Sequence, residues 1–175
     1  LVFPGPTTTV EVLAHLFIRK PVARLGIAPL TSMFFIGEND RRYRDDVRPE
    51  LHDSDGLLIH SGAGEWIWRP LRNPKQPENS VFLDNGIRGF GLMQRDRTFE
   101  HYQDLDLSYE NRPGYWIEPH DNWGEGQVDL IELPTADETN DNIVAFWRPK
   151  APVEAGQSLT FRYRMRALSG TGTLN

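Results

Sequence analysis

The feature that most constrains this chain is the way glycine and proline cut it. Fifteen glycines and thirteen prolines are spread over 175 residues, a break roughly every 8 to 15 positions that leaves short segments between turn signals. The side chains in those segments alternate. In 158–167, Leu159, Phe161, Tyr163 and Met165 take turns with Thr160, Arg162, Arg164 and Arg166, a period of two with one apolar face. Val10, Val12, Ala14, Leu16 and Ile18 alternate likewise against Glu11, His15 and Arg19. Further strands are expected at 65–71, 81–83, 89–94, 114–118, 127–133 and 143–148. Only 98–109 has helical spacing, with Phe99, Tyr102 and Leu105 on one side, which predicts a turn or two of helix. The chain reads as all-β, a sandwich or barrel, forming one domain or part of one.

Composition narrows the function. Hydrophobic residues at 38% and charged residues at 25% are too apolar for a disordered chain and too polar for a membrane one. No stretch approaches the roughly 20 apolar residues of a spanning helix. A net charge of −6 and a pI of about 5.4 lack the basic face that nucleic acid demands and suit a neutral polar ligand. Without cysteine there is no disulfide framework, thiolate zinc site or cysteine nucleophile. His15, His52, His60, His101 and His120 show no HExxH or comparable spacing, so neither a metal nor a cofactor is expected. The chain opens directly on a strand with no basic n-region, which reads as a piece of a longer protein.

Chemistry is expected in the long polar connections at 37–56, 72–80, 107–113 and 135–142. The first holds Asp45, Asp46, Glu50, Asp53 and Asp55, the last Asp137, Glu138 and Asp141. Each leads into a strand and so places acids at a sheet rim. Glycoside hydrolysis needs two such carboxylates, one to protonate the leaving oxygen and one to act as base or nucleophile. Asp and Asn are also common turn formers, and from composition alone Asp53-Ser54-Asp55-Gly56 reads first as an ordinary turn. Calcium at 45–55 is disfavoured, because the glycine and glutamate positions of an EF-hand are missing. Among the aromatics, Trp66 and Trp68 share a strand face and, with Trp116 and Trp147, read as core. Trp123, in the loop 120–126, is the better ring for stacking on a sugar. Arg162, Arg164 and Arg166 read as a solvated edge or partner interface, and Gln94-Arg95-Asp96-Arg97 as an internal salt-bridge network. No GxSxG elbow supports a serine triad.

Six longer strings then follow in order: GIAPLTSMFF (26–35), RPELHDSDGL (48–57), GEWIWRPL (64–71), GFGLMQRDR (89–97), YQDLDLSYENRP (102–113) and PTADETNDNIVAFWRP (134–149). Together they closely resemble the periplasmic glucan biosynthesis proteins G and D, the osmoregulated periplasmic glucan family. The likeness weakens before Gly26 and after Pro149. It implies a longer periplasmic protein with a β-sandwich of the galactose-mutarotase type, this chain being its later part, and an immunoglobulin-like domain beyond it. A sandwich cut this way would carry raw sheet edges.

The resemblance also implies action on β-1,2-linked glucan: internal cleavage with inversion in some members, chain transfer in some relatives. The family's general acid is the aspartate of the ETNDN string, here Asp141, and its general base that of the HDS string, here Asp53. Spacing alone does not separate Asp141 from Asp137, or Asp53 from Asp55. On this scheme burial or a nearby carboxylate keeps Asp141 protonated, and Glu138 would supply that charge or hold a sugar hydroxyl. Asp53 stays ionised beside Arg48 and His52 and takes a proton from water, directly or through hydroxyls. Tyr109 is a relay or substrate contact. The substrate-binding set is therefore Glu138, Tyr109, Trp123, His52 and Arg48. Residues 37–44, beside the base loop, would tune substrate choice. The expected partner is a β-glucan polysaccharide, with a homodimer or contact with a membrane glucan synthase as further options. Two readings compete: a non-catalytic glucan-binding scaffold for such a synthase and, ranked last, a mutarotase-type epimerase using His52.

Overall fold

The structure is a computed structural model and describes residues 1–5, 7–41 and 46–169. Asp45, part of residues 37–44 and the Gly/Thr run at the C-terminal end lie outside the described residues. Along the chain run β1 (Val2–Phe3), β2 (Thr7–Phe17), β3 (Ile27–Ser32), β4 (Phe34–Ile36), β5 (Leu51–His52), β6 (Gly56–His60), β7 (Trp66–Pro70), β8 (Glu78–Asn85) and β9 (Gly89–Met93). The single-turn helix α1 (Phe99–Tyr102) and a 3-10 turn (Tyr109–Asn111) precede β10 (Gly114–Pro119), β11 (Glu125–Glu132), β12 (Ile143–Pro149) and β13 (Ser158–Leu168).

The strands build one sheet in the order β1-β2-β13-β10-β9-β6-β7, a second in the order β3-β12-β11-β8, and a small pair, β4-β5. The alternation in β2 and β13 sets their register: Leu159, Phe161, Tyr163 and Met165 lie opposite Leu16, Ala14, Val12 and Val10, so the apolar residues of both strands share one face. That face meets the four-stranded sheet. Leu57, Ile59, Phe90 and Ile117 from one side pack with Val128, Leu130, Ile143 and Trp147 from the other, which makes the fold an all-β sandwich. A second, smaller cluster joins Met33, Phe35, Ile36, Leu51, Tyr102 and Tyr109 beneath β4 and β5.

Strands β3 to β6 were hidden in the sequence because most of their residues are buried on both faces, which erases the period of two. Pro29 fits β3 because that strand is an edge, where a missing N–H is tolerated. The expected turn or two of helix is one turn, closed by Gln103 in a left-handed conformation (φ 53) right after it.

Three expectations about side chains change. Arg162, Arg164 and Arg166 do not line a solvated edge, because β13 is an inner strand. They lie on the face away from the core, paired with Asp121, Glu11 and Glu118 at 2.7, 2.6 and 2.9 Å. Trp66 and Trp68 are on that outer face too, while Ile67 between them packs toward the core. Trp66 is 50% exposed and stacks on His60 and Trp116. Trp68 lies against Gly56, where an added Cβ would meet its ring at 2.0 Å, and the Arg95 guanidinium sits 4.5 Å over it. The patch 94–97 is no salt-bridge network: Gln94 is buried among polar partners, Asp96 pairs with His101, and Arg97 donates to the Glu110, Arg112 and Leu168 carbonyls.

Candidate active site

The two acid clusters meet because both hang from one short segment, residues 32–34. The Asp53 N–H donates to Met33 O at 2.9 Å, and the buried Ser32 and Ser54 hydroxyls bond at 2.8 Å. From the other side, the Asn142 N–H donates to Ser32 O at 3.1 Å. The buried Asn142 side chain accepts from Phe34 N–H at 2.8 Å and donates to Phe34 O and Leu133 O at 3.0 and 2.9 Å. It thus replaces a strand partner for backbone that would otherwise be unsatisfied. This clamp brings Asp141, the residue before it, to the same segment as Asp53.

Burial pushes the Asp53 carboxyl above the ordinary carboxylate range; Arg112 pulls it back down, and the charge of Asp141 pushes it up again. The charge of Asp141 therefore reaches Asp53, as a shared site requires. Arg112 Nε stands 3.2 Å from Asp53 Oδ1, an oxygen that takes no hydrogen bond. Asp141 is exposed, not buried. Tyr109, buried beneath Arg112 with the guanidinium 5.4 Å over its ring, has its hydroxyl pKa raised by burial and then by the charges of Glu138 and Asp53.

Arg48 is not beside Asp53. Its guanidinium reaches Asp46 at 2.7 Å, Asp104 at 2.6 Å and Glu138 at 3.1 Å, and these partners raise its own pKa, its bond to Asp46 most of all. Glu138 is consequently paired with Arg48, a cation it shares with Asp46 and Asp104. The cation that faces Asp53 is Arg112, which the sequence reading missed although it lies in the YENRP string. His52 is fully buried, with Nε2 2.8 Å from Glu50 and Nδ1 3.0 Å from Gln94. Neither ring nitrogen is left for a substrate, which removes both its binding role and the basis of an epimerase. Trp123 packs edge-on against Phe161 and Tyr163 and beside Trp147. It precedes β11, whereas Asp141 precedes β12, and the two strands run antiparallel with Glu132 opposite Ile143. Trp123 therefore sits at the far end of that pair, about 24 Å from the acids, and cannot stack on a sugar held between them.

Behind His52 lies a cavity of about 390 Å³ whose walls include Phe34, Glu50, Asp55, Trp68 and Asp96 but neither Asp53 nor Asp141. At its edge Glu50, Asp96 and His101 bring oxygen and nitrogen atoms within 4.8 Å of one another. These are the donors a divalent cation takes, but Glu50 is already bonded to His52 and Asp96 to His101.

A model of the family described as "Periplasmic glucan biosynthesis protein, MdoG" matches residues 1–173, so the likeness extends well past both ends of the strings that first carry it. The chain is 58% identical to "Glucans biosynthesis protein D 1" of Ralstonia nicotianae over 93% of its own length and 33% of that protein's. It is 56% identical to "Probable glucans biosynthesis protein D" of Shewanella oneidensis, covering 93% of the chain and 30% of the relative. "Glucans biosynthesis protein G" of Pseudomonas putida is 56% identical over 93% of the chain and 28% of its own length. The chain thus spans about a third of the length of the relatives it matches.

Proposed function

The chain belongs to the family of periplasmic glucan biosynthesis proteins, and we propose that it carries the acid–base pair of an inverting glycoside hydrolase or transglycosylase acting on β-1,2-glucan in the periplasm. The observation that carries this reading is that residues 32–34 hold both Asp53 and Asn142, the residue after Asp141, with Arg112 at 3.2 Å from Asp53 and Tyr109 beneath the guanidinium. Asp141 gives its proton to the glycosidic oxygen as the bond to the anomeric carbon breaks. A water, or a sugar hydroxyl in transfer, attacks that carbon from the opposite side and yields its proton to Asp53, directly or through a hydroxyl. A base whose pKa is raised accepts that proton more strongly, provided it is ionised at the working pH. Arg112 helps keep it so. Glu138, Tyr109 and Arg48 form the adjoining polar wall and are assigned to sugar hydroxyls.

The second reading, a non-catalytic glucan-binding scaffold for a membrane glucan synthase, is favoured by the exposure of Asp141, since an exposed carboxylate can hold a sugar hydroxyl without reacting. One experiment separates the two. The full-length protein is incubated with linear β-1,2-glucan, product size and anomeric form are followed, and Asp141→Asn is run beside it. Shortened or transferred glucan that disappears in the variant supports the enzyme. Intact glucan bound by a well-folded protein supports the scaffold.

A further inference from the structure

Both candidate groups on the base side lean on one buried amide, that of Gln94 in the GFGLMQRDR string. Gln94 follows β9 and is 4% exposed. Its Nε2 lies 3.1 Å from His52 O, 3.1 Å from Tyr109 O and 2.9 Å from the Tyr102 hydroxyl. Its Oε1 lies 3.0 Å from His52 Nδ1. Carbonyl oxygens only accept, so the amide nitrogen must face them and Oε1 must face the imidazole. His52 then donates from Nδ1, which leaves Nε2 to Glu50 at 2.8 Å. The side chain has one orientation and every polar atom is used.

The two carbonyls it holds are not arbitrary. The His52 carbonyl belongs to the peptide that carries the Asp53 N–H, and that N–H donates to Met33 O at 2.9 Å. The peptide plane in front of Asp53 is therefore gripped from both sides. The Tyr109 carbonyl, which also accepts from the Arg112 N–H at 3.0 Å, anchors the residue whose hydroxyl faces Glu138 and Asp53. One amide ties together two segments that are far apart in sequence.

We propose that Gln94 is a positioning residue: without touching the glucan, it fixes the Asp53 carboxylate relative to the Tyr109 hydroxyl so that the attacking water loses its proton along a preset path. This rests on the acid–base reading above. A displacement on the order of 1 Å in such a path costs on the order of 100-fold in rate, whereas groups that only bind sugar are left in place.

The test compares the full-length protein with Gln94→Met, Gln94→Glu and Tyr102→Phe on linear β-1,2-glucan. Met keeps the volume and removes every polar contact of the amide. Glu keeps the size and the acceptor for His52 but turns an oxygen toward both carbonyls. Phe removes the third group that Gln94 touches, one that leads to neither Asp53 nor Tyr109, and so controls for a loosened interior. The expected result is a loss of kcat of about 10- to 100-fold in both Gln94 variants with KM changed less than about threefold. Tyr102→Phe should stay within about twofold in kcat. The proposal is overturned if a well-folded Gln94 variant keeps its kcat, if KM rises with kcat unchanged, or if Tyr102→Phe costs as much. Loss of a cooperative melt in both Gln94 variants also overturns it, since the amide would then be structural. Inactivity of the unmodified protein would instead refute the acid–base reading itself.

Discussion

Asn142→Asp exchanges one nitrogen for an oxygen and tests the clamp that carries Asp141. In the native protein the Asn142 amide is fully used, accepting from Phe34 N–H at 2.8 Å and donating to Phe34 O and Leu133 O at 3.0 and 2.9 Å. The substitution keeps the first bond and turns the other two into oxygen–oxygen contacts. Each buried carbonyl left without its donor costs about 1–3 kcal/mol, so the clamp should weaken by about 3 kcal/mol or more. Hydrogen exchange at the Phe34 amide reads this locally, and about 3 kcal/mol corresponds to opening on the order of 100-fold more often. The pH dependence follows from the same geometry. A carboxyl facing two carbonyls is easier to bury protonated, so its folded pKa lies above the unfolded value of about 3.9. The folded state then holds more protons than the unfolded one between those two values. The variant is accordingly least impaired below about pH 3.9 and loses protection as pH rises through the folded pKa. Unchanged protection at neutral pH, or a defect that grows as pH falls, would refute the clamp.

Three other outcomes are expected. Asp53→Asn abolishes turnover yet raises the melting temperature at neutral pH, because burial makes the ionised carboxyl unfavourable in the fold. With the folded pKa above the unfolded one, the gain shrinks toward about pH 3.9 and disappears below it, which melts across pH will show. Arg112→Met removes the counter-charge from Asp53, so the acidic limb of the pH–rate profile moves to higher pH while the protein stays folded. Gly91→Ala drives a Cβ to 2.2 Å from Tyr115 O and 3.0 Å from Trp116 Cα. Both are backbone atoms of β10 and cannot yield cheaply, so stability should fall by about 1–3 kcal/mol in a denaturant titration.

The strands that were legible are those with one wet face. β2 and β13 show their period because Arg162, Arg164 and Arg166 face outward while Phe161 and Met165 face the core. β5 and β6 have little polar face to show, with Leu51, His52, Leu57 and Ile59 all buried, and no period survives. The site divides in the same way. The acid clusters were visible as composition, and the strings around them singled out Asp53 and Asp141. Arg48 was given its role from sequence proximity and Trp123 from its place in a loop, and neither sets where a side chain points. Arg48 spans to Asp104 and Glu138, and Trp123 fills a gap beside Phe161.

Alternation, turn residues and the supply of carboxylates depend on neighbours a few positions away, so the amino-acid order alone determines an all-β chain with acids at the sheet rims. Which charges meet is decided only when distant segments close on one another. Arg112 reaches Asp53, Asn142 grips Phe34 and Gln94 joins His52 to Tyr109 across long stretches of chain. Burial then makes those contacts count, because a carboxylate shielded from water feels its neighbours far more strongly than one in solvent.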